Sequence, residues 1–475
     1  MKKLLGTTLA LAMFVPAGAN AELLKNLKVG GQLDIQTTSA RNVTDFVTRP
    51  NQAAGGSGPG AAAVNNDRVG TATTRVILKL DWDLLDDVHS RVTLVKGAWN
   101  NAARTYGAAS QSLTTIEGAV FVEEANVKID KVFGAFDVTA GRQFYGEEGD
   151  LVIYFGPRDN YGLSISALDI FRADWNGEHM TVTGVAGKIA DVVAVGTTGG
   201  AATDLRGVTV SCKMHELVKP SLYVYNQLTH RVGAGAAGST AGKNDNLWVA
   251  GVKAKIATGG LSASVEFAKN FGENRPLPTA APADPSFANY KGYAIQAKAG
   301  YKLDLSNVGT VNPWGEFGLG TGDSNFNSYG NNTFTAIATD YRPGGIYGRF
   351  DTGAAVVAGS ALAATNLGAS NGLSNRIIWG FGVKATPNAV SKLTVGAQFY
   401  RYAMHRVAPN AAGTKTSRNI GSEVDVTGEW KHSENVSLKA TAGTFQPGAF
   451  VRDTKGANAA VNPAVMLAGD VSIKF

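Results

Sequence analysis

Cysteine is almost absent from this chain. Cys212 stands alone, which excludes an internal disulfide framework and any C-x-x-C metal or redox motif. It falls on an apolar face with Val208 and Val210, the setting of a packed or lipid-facing thiol. Long hydrophobic runs are missing too: beyond the first residues no stretch of about 18 apolar residues occurs, so no segment can cross a bilayer as a helix. Charge is sparse, with Asp, Glu, Lys and Arg at 17% and a formal balance of +6, too weak a bias to draw nucleic acid. The six histidines, His89, His179, His215, His230, His405 and His432, are scattered, and none completes H-E-x-x-H or another zinc-ligand spacing. Gly233-Ala234-Gly235-Ala236-Ala237-Gly238 has the spacing of a dinucleotide-binding loop. No apolar helical pattern follows it, so it reads as loop composition. The expectation is a protein with no catalytic set, no metal and no cofactor.

The N-terminus has the three parts of an export signal. Lys2 and Lys3 precede the short apolar stretch Leu4 to Val15, and Ala19-Asn20-Ala21 is an A-x-A cleavage site. Residues 1–21 are therefore expected to be removed, leaving 22–475 as one domain. Little chain separates Glu22 from the first predicted strand, too little for the plug domain of an active transporter. N-terminal sequencing of protein from the outer-membrane fraction should read from Glu22; residues 1–21 still attached would overturn this reading.

What the chain does have is glycine and alternation. Glycine is 58 of 475 residues, well above the usual share of about 7%, and mean hydropathy is close to zero. A strand that shows one face to lipid and the other to water averages out in this way. Period-2 alternation places successive side chains on opposite faces. In Ile420 to Trp430, Ile420, Val424, Val426 and Trp430 oppose Glu423, Asp425, Thr427 and Glu429. In the last segment Leu467, Val471, Ile473 and Phe475 oppose Asp470, Ser472 and Lys474. Val76, Leu78, Leu80 and Trp82 oppose Arg75, Lys79 and Asp81, and Tyr293, Ile295, Ala297, Ala299 and Tyr301 oppose Gln296 and Lys298.

Eighteen such segments are read, near 27–39, 70–83, 88–99, 117–130, 135–145, 163–175, 180–190, 204–214, 219–230, 246–257, 260–270, 290–302, 310–322, 373–386, 391–403, 418–431, 435–446 and 463–475. Short connections, among them Asn176–His179 with its type I′ hairpin signal Asn176-Gly177, alternate with long ones rich in Gly, Ala, Asn and Ser. That layout predicts an all-β transmembrane antiparallel barrel of about 18 strands with periplasmic turns and extracellular loops. A further hairpin near Gly345–Phe350 in the long connection 323–372 leaves 16 or 20 strands open. Trp82, Phe136, Trp175, Tyr301, Trp430 and Phe475 fall at the periplasmic rim of the apolar face, and Trp248 and Tyr293 at the outer rim, as two aromatic girdles.

Three places resemble the alginate-export family of bacterial outer-membrane porins. They are Gly141-Arg142-Gln143 leading into an acidic, aromatic third loop; Ile420-Gly421-Ser422-Glu423-Val424-Asp425 followed by Ala442-Gly443-Thr444-Phe445-Gln446-Pro447-Gly448; and a terminal strand ending in Phe475, which looks like the signal read by outer-membrane assembly machinery. The resemblance implies an 18-stranded monomeric barrel conducting an anionic polysaccharide. Such a role calls for an interior dominated by Arg and Lys. By parity the inward bases (Lys28, Arg75, Lys253, Lys255, Arg376 and Lys439 among them) are nearly matched by inward acids such as Asp34, Asp174, Glu266, Glu423 and Asp425.

The first functional reading is an outer-membrane channel for small polar or charged solutes. Export of an anionic exopolysaccharide is the alternative, and an adhesin or binding barrel the third reading. The expected partners are outer-membrane lipid, lipopolysaccharide and the assembly machinery. The pore would narrow at the third loop, where Glu147, Glu148 and Asp150 precede the apolar run Leu151 to Phe155 and then Arg158. That run must pack on something, and in porins generally the third loop bends into the lumen. The acids would then face Arg142, Arg172 and Arg376, with Asp174 nearby and Glu423, Asp425 and Lys439 lining the pore. If loop 146–162 lies outside, the constriction falls in 323–372.

Overall fold

The computed structural model describes residues 25–43, 68–96, 120–190, 202–213, 217–230, 244–274, 288–323, 330–350, 372–407, 417–455 and 462–475. The expected export signal, His215, the glycine-rich 233–238 segment and the second part of 323–372 lie outside them.

Eighteen long strands form the wall: β1 (Lys25–Arg41), β2 (Arg68–Leu85), β3 (Val88–Lys96), β4 (Val120–Val132), β5 (Phe136–Gln143), β6 (Leu168–Asn176), β7 (Met180–Ala190), β8 (Thr203–Cys212), β9 (Val218–Thr229), β10 (Asp245–Thr258), β11 (Leu261–Asn274), β12 (Tyr293–Tyr301), β13 (Gly309–Gly320), β14 (Arg376–Pro387), β15 (Leu393–Met404), β16 (Asn419–Lys431), β17 (Val436–Pro447) and β18 (Ala464–Lys474). Each pairs antiparallel with the next, and β1 pairs with β18 from Gln32↔Lys474 to Arg41↔Val465, which closes the barrel and leaves no sheet edge. Every segment read from alternation is one of these strands, and the count is 18. The stretch Gly345–Phe350 adds no wall hairpin; it lies inside the barrel.

The polarity is inside out. Val29, Leu222, Phe381 and Leu467 are about 60% exposed on the outer face, whereas Asp34, Arg75, Glu266 and Glu316 are buried within. A closed sheet with an apolar outside and a charged inside is stable only with lipid around it. Phe136, Trp175, Tyr301, Trp430 and Phe475 are exposed at one rim, Trp248 and Tyr293 at the other, as the girdle reading expected.

Three local departures follow from backbone geometry that alternation cannot register. A bulge in β4 pairs Thr93 with Glu124 and Leu94 with Val122, so Glu123 is the extra residue and both glutamates are buried. A second irregularity, between Tyr402 and Ala403, turns Ile420 out of the lipid-facing set and into the interior. The β6–β7 connection is a hairpin, but neither Asn176 nor Gly177 has positive φ, so it is not type I′. Gly259 and Gly260, at φ 52° and 87° between β10 and β11, make that kind of turn instead.

Candidate functional site: the narrowed lumen

The chain between β5 and β6, residues 144–167, does not rise from the barrel but folds into it. Leu151, Val152, Ile153, Phe155, Tyr161, Leu163 and Ile165 are all buried. The apolar run thus packs inside the lumen, as its composition required. The predicted sixth strand begins at Leu168 rather than 163 because 163–167 belongs to this loop: Pro157 bridges Ile165, and Arg158 N–H donates to the Ser164 carbonyl at 2.8 Å.

A second inner loop, residues 330–350, docks on the first. Tyr154 N–H donates to the Ala338 carbonyl at 2.7 Å, Ala338 N–H to that of Val152 at 2.9 Å, and Asp340 N–H to that of Asp150 at 2.9 Å. Gly149 N–H donates to Asp340 Oδ2 at 2.9 Å, and Arg158 Nε lies 3.3 Å from Asp340 Oδ1. The two expected constriction sites, posed as alternatives, are therefore one assembly.

Wall residues hold this assembly in place. Arg75 bonds Asp34 at 2.7 Å and its Nη1 also donates to the carbonyls of Arg158, Leu163 and Ser164. Arg349 makes a two-pronged pair with Asp470, at 3.2 and 2.7 Å. Glu423 and Asp425 are fully buried: Glu423 accepts from the amides of Ile346 and Tyr347, and Asp425 from the amide of Gly345. These two carboxyls were expected to line open pore; they are covered by the second loop and anchor its backbone. Arg376 is likewise buried, its Nε donating to the Tyr347 hydroxyl at 3.0 Å. It grips the second loop and not the acids of the first.

Those acids cross the lumen and meet lysines. Glu147 Oε2 accepts from Lys253 Nζ at 2.7 Å and from Lys255 Nζ at 2.6 Å, and Asp150 Oδ1 also accepts from Lys253. Burial pushes the Glu147 carboxyl up, but the two lysines outweigh it and hold it down to about 2. Asp150, more deeply placed, is raised by burial in spite of Lys253. Burial lifts the Tyr154 hydroxyl to about 12, helped by Asp340 and Glu148, so it stays a donor, here to the Pro157 carbonyl at 2.8 Å. Glu148 is exposed. Lys253 and Lys255 were readable as inward bases; which acids they face depends on where the loop lands, which spacing does not reveal.

Of the other expected residues, Arg172 is on the wall of β6 and pairs with Asp174 at 2.8 Å. Lys439 faces the lumen near Asp159 at 3.8 Å and not Glu423. Arg142 is the clear correction. Its strand partners are Ala125 and Asp169 on the lipid-facing side, because Gln143 and Thr139 take the inward positions of β5. Two cavities flank the first loop. One of about 230 Å³ lies among Glu147, Asp150, Tyr223, Tyr225, Lys253 and Glu266; the other, about 410 Å³, lies among Lys28, Asp81, His89, Arg91, Glu124 and Lys128. Arg172 borders both.

Among solved structures, the chain is similar to OccAB2 of Acinetobacter baumannii (TM-score 0.54, 10% identity, 96% of this chain and 99% of that one) and to OpdQ of Pseudomonas aeruginosa (0.52, 9%, 96% and 99%). The outer membrane protein opdK of Pseudomonas aeruginosa is similar at 0.50 and 10% identity, over 95% and 99%. The shared feature is the fold: a closed 18-stranded barrel of the outer-membrane porin type. No protein-family model matches the chain, and no curated protein matches it in sequence.

Proposed function

We propose that the chain is an outer-membrane channel for small polar or charged solutes and has no enzymatic role. The observation that carries this is the charged lumen narrowed by two inward loops, with cavities left beside the first loop where Glu147 and Asp150 bond to Lys253 and Lys255 of the wall. Charged groups beside a narrow, low-dielectric passage act on solutes more strongly than on an open surface and select among ions. The apolar outer face and its girdles support placement in a bilayer. The space left around the loops is a few hundred cubic ångströms, the scale of small solutes. Export of an anionic polysaccharide, which the alginate-export resemblance implies, is less well supported: the wall bases are engaged by acids, as Arg172 is by Asp174 and Lys253 by Glu147.

Purified protein should conduct in planar bilayers. Neutralising Glu147, Glu148 and Asp150 together should shift the reversal potential towards anions, and neutralising Lys253 and Lys255 should shift it towards cations. Arg142→Gln should leave selectivity unchanged, since that side chain faces lipid. Glu147 has a depressed pKa, so its charge and latch are present above the ordinary carboxylate range and are lost only as pH falls through about 2. Its contribution to selectivity should therefore persist from pH 7 to pH 4. A closed barrel, or selectivity unmoved by both sets of substitutions, would defeat the proposal.

A further inference from the structure

The lipid-facing surface carries a row of charges that passage through the lumen does not use. Register sets Arg142 of β5 beside Asp169 of β6, Asp169 beside Lys188 of β7, and Lys188 beside Asp204 of β8, all near the extracellular strand ends. These residues share the outward face with Phe171 and Val208, both exposed. Within the row each acid is paired. Arg142 Nη1 donates to Asp169 Oδ2 at 3.0 Å, Lys188 Nζ donates to Asp204 Oδ1 at 3.1 Å, and His230 Nε2 lies 2.8 Å from Asp204 Oδ2.

One base is left over. Arg206 lies two residues further into the membrane on β8, exposed on the outward face, and the structure gives it no ion pair among the described residues. Its nearest candidate partner, Asp204, already has both carboxylate oxygens engaged. Register places Arg206 between Ala186 and Asn226, and Asn226 beside Trp248 of the outer aromatic girdle. Three residues from the strand end at Thr203, it lies close to the outer lipid–water interface. A free guanidinium there cannot be satisfied by hydrocarbon. The matching group on the lipid side is a phosphate, which a guanidinium meets with two parallel N–H donors. The paired row above it is neutral and polar, suited to sugar hydroxyls.

We propose that Arg206, with the ion-pair row above it, is a binding site for the phosphate of a phosphorylated glycolipid in the outer leaflet, lipopolysaccharide being the form such a lipid takes. The inference rests on the reading of the barrel as an outer-membrane protein. Binding of bis-phosphorylated lipid A and of its dephosphorylated form to the detergent-solubilised barrel, read by native mass spectrometry, tests it. The wild type should retain the phosphorylated form preferentially. Arg206→Gln should bind it roughly tenfold more weakly, as loss of one charge-assisted pair implies, and Arg206→Lys should keep part of the preference. Equal retention by Arg206→Gln, no discrimination between the two lipids, or cross-links showing this face covered by a second copy of the chain would each overturn it. Conductance in phosphatidylcholine bilayers is the separate readout: a protein that conducts there but ignores the phosphate refutes the lipid site and leaves the channel reading intact.

Discussion

Arg75→Met should destabilise the barrel by about 3–5 kcal/mol, the usual consequence of removing one partner from a buried ion pair. The side chains of Arg75 and Asp34 are 5% and 9% exposed, 2.7 Å apart, so the substitution strands a carboxylate inside the wall. The loss should extend to the inner loop. Arg75 Nη1 is also the donor to three loop carbonyls, those of Arg158, Leu163 and Ser164. Freed of that tie, the loop should fluctuate, and single-channel records should become noisier. Adding Asp34→Asn should restore part of the stability without quieting the channel, because the loop tie stays broken. Urea unfolding of Arg75→Met at the wild-type midpoint, with a quiet channel, would show that this pair does neither job.

Val426→Arg should cost about 2–4 kcal/mol if residue 426 sits near the bilayer midplane. Val426 is 55% exposed on the outer face, and its neighbours on β16, Asp425 and Thr427, point inward. Its strand partners are Ala397 and Ala442, both well inside their strands, so no nearby rim offers the guanidinium an escape to water. Ala297→Arg on β12 should behave alike. Thr427→Arg and Gln296→Arg should cost far less, since the lumen supplies water and counter-charges. Folding free energies in lipid vesicles, from denaturant titration, measure the difference. Equal costs on both faces would mean that the side-chain parity is wrong.

Most of the wall was legible because a β-strand in a bilayer has a simple code. Lipid on one side and water on the other force an alternation of apolar and polar residues, and Val76, Leu78, Leu80 and Trp82 against Arg75, Lys79 and Asp81 display it, with Ile77 the one apolar residue on the inward face. The code fails where the backbone inserts a residue, as at Glu123, or where it turns one over, as at Ile420. The lumen was only partly legible. The apolar run Leu151 to Phe155 announced that the third loop must be buried, and it is. Its charge partners were misassigned, since Arg142 faces lipid and Arg376 and Glu423 hold a different loop.

Alternation along the chain thus determined the barrel and its inner and outer faces, pointed to about 18 strands with 16 or 20 left open, and required the apolar run of the first loop to pack on something, all of which follow from period and polarity within some ten residues. Only the tertiary structure decided that Glu147 meets Lys253 and Lys255 about a hundred positions away, that residues 330–350 complete the constriction, and that Glu423 and Asp425 cap backbone amides instead of lining water. The reason is physical. Strand pairing is dictated by local periodicity and by neighbours in sequence, whereas the landing point of a loop inside a barrel is chosen by packing against whichever distant wall offers matching shape and charge.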